Sequence, residues 1–253
     1  MLQVKIMNEK TENVIDVTGL GKYFGPIKAV DKISFQVKKG EVLGFLGPNG
    51  AGKSTTMKML TGFLAPDFGT ARIKGFDLVT SPHAIKHHLG YLPENAPAYE
   101  EMTVEDFLSF IITVRGLENK KKECLERVYE QASLKNVRNQ VIGTLSKGFK
   151  RRVCLAQAIV HDPEILILDE PTDGLDPNQK YEVRQLITNM AGSKVIILST
   201  HILEEVAEVC TRAIIIAQGK IVIDSTPSDL KKMSDTGNLN EVFRKLTLEV
   251  KRS

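Results

Sequence analysis

The sequence lacks any apolar run long enough to cross a membrane. Its longest runs, at residues 165–168, 195–198 and 213–217, are short, whereas a membrane-spanning helix needs about 20 mostly apolar residues. Residues 1–5 also lack the apolar core and the cleavage site that mark a signal peptide. We therefore expect a soluble, cytosolic chain, which would need a partner protein for any task at a membrane.

A strong excess of charge is missing as well. The 34 Lys and Arg residues nearly balance the 31 Asp and Glu residues, and the formal net charge is +3. Because a nucleic-acid-binding protein carries a basic patch or stripe, this balance predicts no nucleic-acid partner. Hydrophobic residues make up 42% of the 253 residues, which is typical of one large α/β domain or one domain with an inserted lobe.

Cysteine is scarce, and no group of Cys and His residues has the spacing of a metal site. Cys124, Cys154 and Cys210 are odd in number and widely separated, which favours reduced thiols. His83 and His87 stand four positions apart and could share a metal on a helix. No nearby Cys or carboxylate completes the set, so a solvated helix face is the preferred interpretation.

Short strand patterns alternate with helical patterns along the chain. Apolar runs bounded by turn residues predict strands at 14–17, 33–37, 42–46, 70–74, 89–92, 165–168, 195–198, 213–216 and 220–223. Helical periodicity predicts helices at about 53–61, 104–116, 121–133 and 177–192, with short helices near the end of the chain. Residues 63–92 are predicted to return to short strands, and 93–152 to form a helical insertion. The polar residues 1–12 are predicted to be frayed or a short edge element.

A glycine-rich stretch directly follows one predicted strand and opens a helix. It reads Gly47-Pro48-Asn49-Gly50-Ala51-Gly52-Lys53-Ser54, with Thr55 after it. This fits G-x-x-x-x-G-K-[ST], in which backbone N–H groups surround phosphate oxygens, the lysine reaches the β- and γ-phosphates and the serine hydroxyl binds Mg²⁺. A chance glycine-rich turn is the alternative, but a random match arises in about one chain in a hundred. The stretch therefore predicts a nucleotide-phosphate site.

A second acidic element follows the buried strand 165–168. Asp169 would lie at the carboxyl edge of the sheet, beside the phosphate loop, where it can bind Mg²⁺ through water. Glu170 would point to the opposite side and could orient or deprotonate an attacking water. Two acids that cap the next turn are the alternative. With a phosphate loop in the same chain, the metal-binding interpretation is preferred.

Residues 145–149, Leu-Ser-Lys-Gly-Phe, precede a helix and then the acidic strand. Alone they would be an ordinary helix cap, but in this order they resemble the LSGGQ signature of the ATP-binding subunits of ABC transporters, with departures at Lys147 and Phe149. The resemblance implies that Ser146 and Gly148 close over the γ-phosphate held by the other subunit of a head-to-tail dimer.

Other residues match further elements of that family. Asp176 resembles the D-loop residue at the dimer seam, and His201 resembles the switch histidine that contacts the γ-phosphate. The resemblance thus implies Glu170, His201 and Lys53 as catalytic residues. It also implies that an aromatic ring stacks on adenine, with Phe24 as the first candidate and Tyr23 as the alternative.

Glu94 stands where the family usually has glutamine. A carboxylate offers Mg²⁺ a charged oxygen but places another anion near the γ-phosphate. We hypothesise that Glu94 keeps the coupling role with an altered metal dependence. Glu94, the signature and the ending 240–247 resemble an exporter subgroup, similar to gliding-motility, copper-maturation and multidrug ABC exporters.

The resemblance covers about residues 14–248 and implies an α/β fold: a P-loop NTPase (RecA-like) core with an antiparallel β subdomain and an inserted α-helical subdomain. It implies one cassette over 1–253, with a β subdomain and the start of the core at 14–92, a helical subdomain at 93–152, the rest of the core at 153–224 and a helical tail at 225–253.

The resemblance also implies ATP hydrolysis with Mg²⁺, which would drive transport through separate transmembrane permease subunits at the cytoplasmic face of the cell membrane. Two ATPase subunits would form a homodimer or a pseudo-symmetric heterodimer. Residues 94–101 and the helical insertion would contact the permease. The alternatives are a soluble ABC-type ATPase that acts on a non-transport partner, such as ribosomes or DNA, and a non-hydrolytic nucleotide-binding module.

Overall fold

The computed structural model describes residues 13–234 and 237–250. The predicted polar start at 1–12 lies outside the described residues, as do residues 235–236 and 251–253 of the predicted tail. The strands are β1 (Asn13–Phe24), β2 (Ile27–Lys38), β3 (Val42–Leu46), β4 (Phe68–Ile73), β5 (Phe76–Asp77), β6 (Leu89–Leu92), β7 (Ile165–Asp169), β8 (Val195–Thr200), β9 (Arg212–Ala217) and β10 (Lys220–Ser225). The helices are α1 (Lys53–Leu60), α2 (Pro82–His88), α3 (Val104–Val114), α4 (Lys121–Gln131), α5 (Lys147–Ile159), α6 (Pro177–Ala191), α7 (Leu203–Val209), α8 (Pro227–Lys232) and α9 (Leu239–Val250).

The smaller sheet is antiparallel, in the order β2-β1-β4-β5. In β2, the side chains of Ile33, Phe35 and Val37 are buried while the residues between them are exposed, which is the period-two pattern of a sheet with one covered face. The covered face joins β3 and α1 in one apolar core. The predicted antiparallel β subdomain is therefore present, and it lies beside the start of α1.

The larger sheet has the order β10-β9-β3-β8-β7-β6. Five neighbouring strands run parallel to one another: β9, β3, β8, β7 and β6. Strand β10 pairs antiparallel with β9 at the edge of the sheet. Every residue of β3, β7 and β8 is buried, because helices cover both faces of a parallel sheet. The carboxyl ends of these strands meet at one edge, where ligands bind in open α/β sheets.

The segment between β6 and β7 is helical, as the pattern predicted. The Thr103 hydroxyl accepts a hydrogen bond from the Asp106 backbone N–H at 3.1 Å and starts α3. Gly116, with φ 68°, follows its end. Helix α5 continues from this segment into the core and packs against β6, so it runs across the predicted boundary at 152.

Helix α2 lies between the strands predicted at 70–74 and 89–92, where no helix bounds were predicted. It has a proline at its first position, which favours a helix start, but among its residues only Ile85 is buried, so no apolar stripe announced it. His83 and His87 lie exposed on this helix, as the preferred interpretation held. Within 13–234 and 237–250, no group of three or more His, Cys, Asp or Glu residues is arranged to hold a metal.

The chain ends as predicted in helices α8 and α9, after the antiparallel hairpin β9–β10. Leu239 and Val242 of α9 are buried, and Leu239 packs with Leu46 and Leu230 in a third apolar cluster. Across the described parts of the chain, no helix has both the length and the hydropathy to span a bilayer.

Candidate phosphate-binding site

The loop between β3 and α1 is built so closely that two of its positions require glycine. A Cβ atom on Gly47 would lie 2.4 Å from the Ile216 carbonyl oxygen, and one on Gly52 would lie 2.3 Å from the Ala29 carbonyl oxygen. Gly52 also has φ 106°, a conformation that residues with side chains rarely adopt. The loop therefore holds a tight turn directly before the helix.

Helix α1 begins at Lys53, so its first N–H groups have no acceptor within the helix. The aligned peptide dipoles also place partial positive charge at this end. Ser54 and Thr55 follow in the first turn, where backbone N–H groups and hydroxyls lie side by side. This arrangement favours an anion with several oxygens, such as a phosphate chain.

The Lys53 side chain is 5% exposed and contacts both the loop and the end of β7. Its ammonium donates to the Gly47 carbonyl at 2.7 Å and lies 3.2 Å from Glu170 Oε1. Glu170 Oε2 lies 2.9 Å from His201 Nδ1. One buried carboxylate thus joins the lysine of the phosphate loop to the histidine that follows β8.

Glu170 itself has an uncommon backbone. Its φ is 48°, the left-handed region that residues other than glycine seldom occupy. The backbone N–H donates to the Ser199 carbonyl and the Ser199 hydroxyl, both at 3.1 Å. Such conformations persist where surrounding contacts hold them, and they concentrate at functional sites. Glu170 and Asp169 thus have different side-chain partners: Lys53 and His201 for Glu170, and Ser54 and Ser199 for Asp169.

Asp169 lies on the other side, beside the first turn of α1. Its Oδ1 accepts hydrogen bonds from the Ser54 hydroxyl at 3.1 Å and from the Ser199 hydroxyl. A carboxylate beside a hydroxyl is an oxygen donor set, which suits the hard cation Mg²⁺. Because Mg²⁺ takes one or two protein carboxylates and fills its other positions with phosphate oxygens and water, Ser54 and Asp169 fit that ion.

These residues surround a cavity of about 590 Å³. Its lining includes the predicted residues Phe24, Asn49, Gly50, Ala51, Gly52, Lys53, Ser54, Thr55, Glu94, Glu170 and His201, together with Ile27, Lys28, Ala29 and Asp173. Gly47, Pro48 and Asp169 are not part of this lining. The four additional residues carry no motif, and only the folded sheet brings them to the cavity.

Phe24, rather than Tyr23, lies on the cavity wall. The Phe24 ring is half-exposed at the rim, 48% of it accessible. Tyr23 turns to the other side of the strand, where its hydroxyl donates to Asp31 at 2.8 Å and its ring packs edge-on against Phe68. Of the two aromatic candidates, Phe24 is therefore the one that lines the cavity, and the Lys22 ammonium lies 5.7 Å from the centre of its ring.

Ser146, Gly148 and Asp176 do not line this cavity. They lie on a separate, open depression of about 380 Å³, between the starts of α5 and α6. The Ser146 hydroxyl caps α5 by accepting from the Phe149 N–H at 3.4 Å, and Asp176 caps α6 by accepting from the Gln179 N–H at 3.0 Å. The predicted site residues thus divide into two groups on different surfaces.

A buried carboxylate, Glu205, connects the segments that follow β7 and β8. It accepts from the Thr200 hydroxyl at 2.6 Å and from the Thr172 hydroxyl. Burial raises the pKa of Glu205 above its usual range, and hydrogen bonding from Thr200 opposes the shift. These hydrogen bonds hold Thr200, the residue before His201, near Thr172, in the turn after Glu170.

Arg151, on α5, was not among the predicted site residues, yet it contacts the backbone beside several of them. Its guanidinium donates to the carbonyls that follow β6 and β7. It stands in a run of three basic residues, 150–152, and such a run usually marks a solvated helix face. No signal in the sequence distinguishes it from its neighbours.

Comparisons with known proteins agree with this architecture. The family model described as ABC transporter matches residues 30–173. The chain is 41% identical over 225 residues to "Probable multidrug ABC transporter ATP-binding protein YbhF" of Escherichia coli (strain K12), covering 88% of this chain and 39% of that protein. It is 36% identical over 218 residues to "Nod factor export ATP-binding protein I" of Rhizobium sp. (strain N33), covering 85% of this chain and 72% of that protein.

Among solved structures, the fold is similar to one titled "Structure of ATP binding subunit of ABC transporter". The two share a TM-score of 0.81 and 28% identity, over 92% of this chain and 99% of the other. Against YbhF, the chain spans well under half of the relative's length. The likeness therefore concerns one ATP-binding unit.

Proposed function

The chain belongs to the ABC transporter family of ATP-binding proteins, and from this premise we propose that it binds and hydrolyses ATP to drive export through a membrane partner. The observation that carries the proposal is the contact of Lys53, Glu170 and His201 at the phosphate loop. Because a lysine, a carboxylate and a histidine meet where phosphates would lie, the cavity has the groups that phosphoryl transfer to water needs.

Different parts of the cavity bind the phosphates and the adenine of ATP. The N–H groups at the start of α1 and the Lys53 ammonium hold the phosphates, and the Phe24 ring stacks on the adenine. Lys53 exchanges its present contacts with the Gly47 carbonyl and Glu170 for phosphate oxygens.

Ser54 and Asp169 would hold Mg²⁺, with Glu94 as a third oxygen ligand from the opposite wall. When bound, the ion neutralises charge on the β- and γ-phosphate oxygens. The charged Glu94 oxygen binds Mg²⁺ more strongly than an amide would, so the metal requirement should be lower than with glutamine at this position.

Hydrolysis places a water between Glu170 and the γ-phosphorus. Glu170 accepts a proton from this water while the water oxygen bonds to phosphorus and the bond to the β–γ bridging oxygen breaks, which yields ADP and phosphate. Lys53 stabilises the charge that develops on the phosphoryl oxygens. His201, hydrogen-bonded to Glu170, orients the carboxylate and contacts the γ-phosphate.

The second surface completes the site of another subunit. Ser146 and Gly148 lie at the start of α5, and Asp176 lies at the start of α6, all on the open depression. We propose that they face the nucleotide of a second ATPase subunit, in a homodimer or a pseudo-symmetric heterodimer. Two helix N-termini directed outward are suited to the phosphates of a neighbouring chain.

A third surface suits the membrane partner. A cavity of about 400 Å³ lies between the helical segment and the core and includes Phe63, Tyr91, Pro97 and Arg115. Phe63 is 74% exposed, and the cavity adjoins the segment that carries Glu94. We propose that a helix of a separate transmembrane permease docks here, which would hold the chain at the cytoplasmic face of the cell membrane. Residues 94–101 would then transmit closure between permease and nucleotide.

The relatives' names favour transport over a non-transport role, since they speak of a multidrug transporter and of Nod factor export. The deciding experiment is twofold. The purified chain should hydrolyse ATP in the presence of Mg²⁺, and the chain isolated from its own cells in mild detergent should bring an integral membrane protein with it. An active chain that co-purifies with ribosomes or DNA would instead favour the soluble ABC-type ATPase, and an inactive chain would favour the non-hydrolytic module.

A further inference from the structure

The Arg151 side chain lies between the carboxyl ends of β6 and β7. Its guanidinium hydrogen-bonds backbone carbonyl oxygens on both sides: Nη1 donates to Pro93 at 3.3 Å and Glu94 at 2.8 Å, Nη2 to Asp169 at 3.0 Å and Glu170 at 2.6 Å, and Nε to Pro171 at 2.8 Å. One side chain thus fastens two loops that are far apart in the sequence.

These contacts use the full capacity of the guanidinium group. Arginine has five N–H donors in a rigid planar fork, and here each meets a carbonyl. Among the ion pairs of the described residues, none includes Arg151. Burial lowers its pKa, although an arginine side chain keeps its charge in proteins. The negative charges of Asp169, Asp173 and Glu94 oppose this pKa shift, but the five hydrogen bonds of the guanidinium all go to the main chain, whose position they fix.

Three of the five carbonyls belong to acidic residues of the phosphate site: Glu94 and Glu170 line the cavity, and Asp169 accepts from the Ser54 hydroxyl beside it. Glu94 approaches from the loop after β6, while Asp169 and Glu170 approach from the end of β7. The carbonyl and the side chain of a residue are attached to the same backbone atoms. Hydrogen bonds that fix these carbonyls therefore restrict the positions of the three carboxylates as well. Sites of this kind need their groups held within about 0.5 Å of the productive geometry.

Arg151 is also rigidly connected to the second surface. It stands in the second turn of α5, whose cap is Ser146. Five residues of α-helix rise only about 7 Å, and a helix of this length moves as one body. A shift of the Ser146–Gly148 loop against a second subunit would therefore displace the guanidinium and, with it, the five carbonyls.

Building on the function proposed above, we propose that Arg151 is a positioning residue that couples this chain's own ATP site to the surface that closes the partner's ATP site. When a second subunit engages Ser146 and Gly148, α5 sets the spacing between the Glu94 loop and the Glu170 turn. Contact with the neighbouring subunit thereby changes the geometry of this chain's own ATP site through main-chain hydrogen bonds.

The test compares Arg151→Gln and Arg151→Lys with Arg127→Gln in the full chain. Arg127 also donates to a backbone carbonyl, that of Val160 at 2.9 Å, but it stands on α4, away from the cavity. Three quantities are measured: ATP affinity at protein concentrations where the chain is monomeric, kcat, and ATP-driven dimer formation in a Glu170→Gln background. Thermal stability is followed for every variant.

We expect Arg151→Gln to keep its ATP affinity within about twofold, because Arg151 touches no group that would contact the phosphates. Its kcat should fall by about ten- to a hundredfold, the range that misplacement of reacting groups produces, and its ATP-driven dimerisation should weaken. Arg151→Lys, which keeps three donors, should restore part of both losses. Arg127→Gln should change neither.

The proposal would be overturned if Arg151→Gln lost stability but kept wild-type kcat and dimerisation, since the residue would then be a structural fastener only. If Arg151→Gln fails to fold, Arg151→Lys carries the same comparison, and wild-type values for it would also overturn the proposal. If the wild type does not hydrolyse ATP and the Glu170→Gln variant does not dimerise with ATP, the proposed function itself is wrong. That outcome is distinct from Arg151 variants that behave like the wild type.

Discussion

The cavity at the phosphate loop and the open depression at the start of α5 use similar residues in opposite ways. In the cavity, charges of both signs are buried in mutual contact, with Lys53 between the loop and Glu170. In the depression, Ser146 and Asp176 cap their own helices and remain exposed to solvent. The first surface can hold phosphates with groups of one chain, whereas the second offers helix ends that need another chain to enclose a ligand.

The arginine of the depression, Arg152, also makes different contacts from Lys53 in the cavity. Arg152 forms an ion pair with Glu182 and lies 4.8 Å from the centre of the ring of Phe149, which is one of the two residues that depart from the family signature. No comparable aromatic ring covers Lys53 among the cation–π pairs of the described residues. Substitutions in the cavity should therefore alter chemistry and ATP binding, and substitutions in the depression should alter rate without altering the chain's own affinity.

The largest effect is expected for Glu170→Gln, which removes the group that accepts the proton from water. The rate of hydrolysis should fall by about 10²- to 10⁴-fold while ATP still binds, and the ATP-bound dimer should accumulate. Steady-state ATPase assays and size-exclusion chromatography measure the two effects. Glu204→Gln, at an exposed position on α7, is the matched control, and a wild-type rate for Glu170→Gln would disprove the assignment of the proton acceptor.

Lys53→Ala should weaken ATP binding by about ten- to a hundredfold, since a hydrogen bond to a charged group contributes about 1.5–3 kcal/mol. Isothermal titration with ATP measures the affinity directly. Lys58→Ala changes an exposed lysine on the same helix and should bind ATP like the wild type. Equal affinities for the two variants would contradict the role of Lys53.

Ser146→Ala tests the other side of the comparison. Loss of the cap should cost about 1 kcal/mol of unfolding free energy, leave the affinity of the monomer for ATP unchanged and lower the ATPase rate by about tenfold, the value of one hydrogen bond to a charged group. Thr226→Ala removes an equivalent cap, on α8, where the hydroxyl accepts from the Asp229 N–H at 3.2 Å.

Chemical denaturation should show similar losses of stability for both cap variants, and only Ser146→Ala should lose activity. If Thr226→Ala lost as much activity, the effect would reflect stability, and the depression would have no separate role.

The smallest effect is expected for Glu94→Gln, which exchanges a charged oxygen on the cavity wall for a neutral one. The Mg²⁺ concentration needed for half-maximal ATPase activity should rise, by up to about tenfold, because the amide binds the ion less strongly. Glu100→Gln, at an exposed residue outside the cavity lining, should leave the metal dependence unchanged. Superimposable Mg²⁺ curves for Glu94→Gln and the wild type would remove Glu94 from the metal site.

Local patterns predicted the elements that carry strong periodicity or a named turn. The alternation of Ile33, Phe35 and Val37 predicted β2, and the all-apolar run 165–168 predicted a buried parallel strand. Helix α2 was indicated only by the spacing of His83 and His87, because its one buried residue, Ile85, leaves no apolar stripe from which its bounds could be predicted. The extent of α5 across residue 152 escaped prediction, since a continuous helix can belong to an inserted segment at one end and to the core at the other.

For the site, the phosphate loop and the strand-end acids came from motifs with a clear local mechanism, and Phe24 as first aromatic candidate came from the family resemblance. Arg151 could not be found in this way. Its acceptors are carbonyls, which every residue has, so the sequence around them carries no trace of the contact. The same holds for the contact of Glu205 with Thr172, which is recognisable only after β7 and β8 are known to be neighbours.

The sequence by itself determined whatever depends on residues that are near each other along the chain: the glycine turn, the start of α1, the caps at Ser146 and Asp176, and the order of buried strands. Only the tertiary structure decided which of these features share a cavity. Strands β6 and β7 are adjacent and parallel although more than seventy residues separate them, because hydrophobic burial brings them into one sheet whatever their separation in the chain. That pairing brings Glu94 and Glu170 within reach of one arginine and leaves Ser146 on another surface.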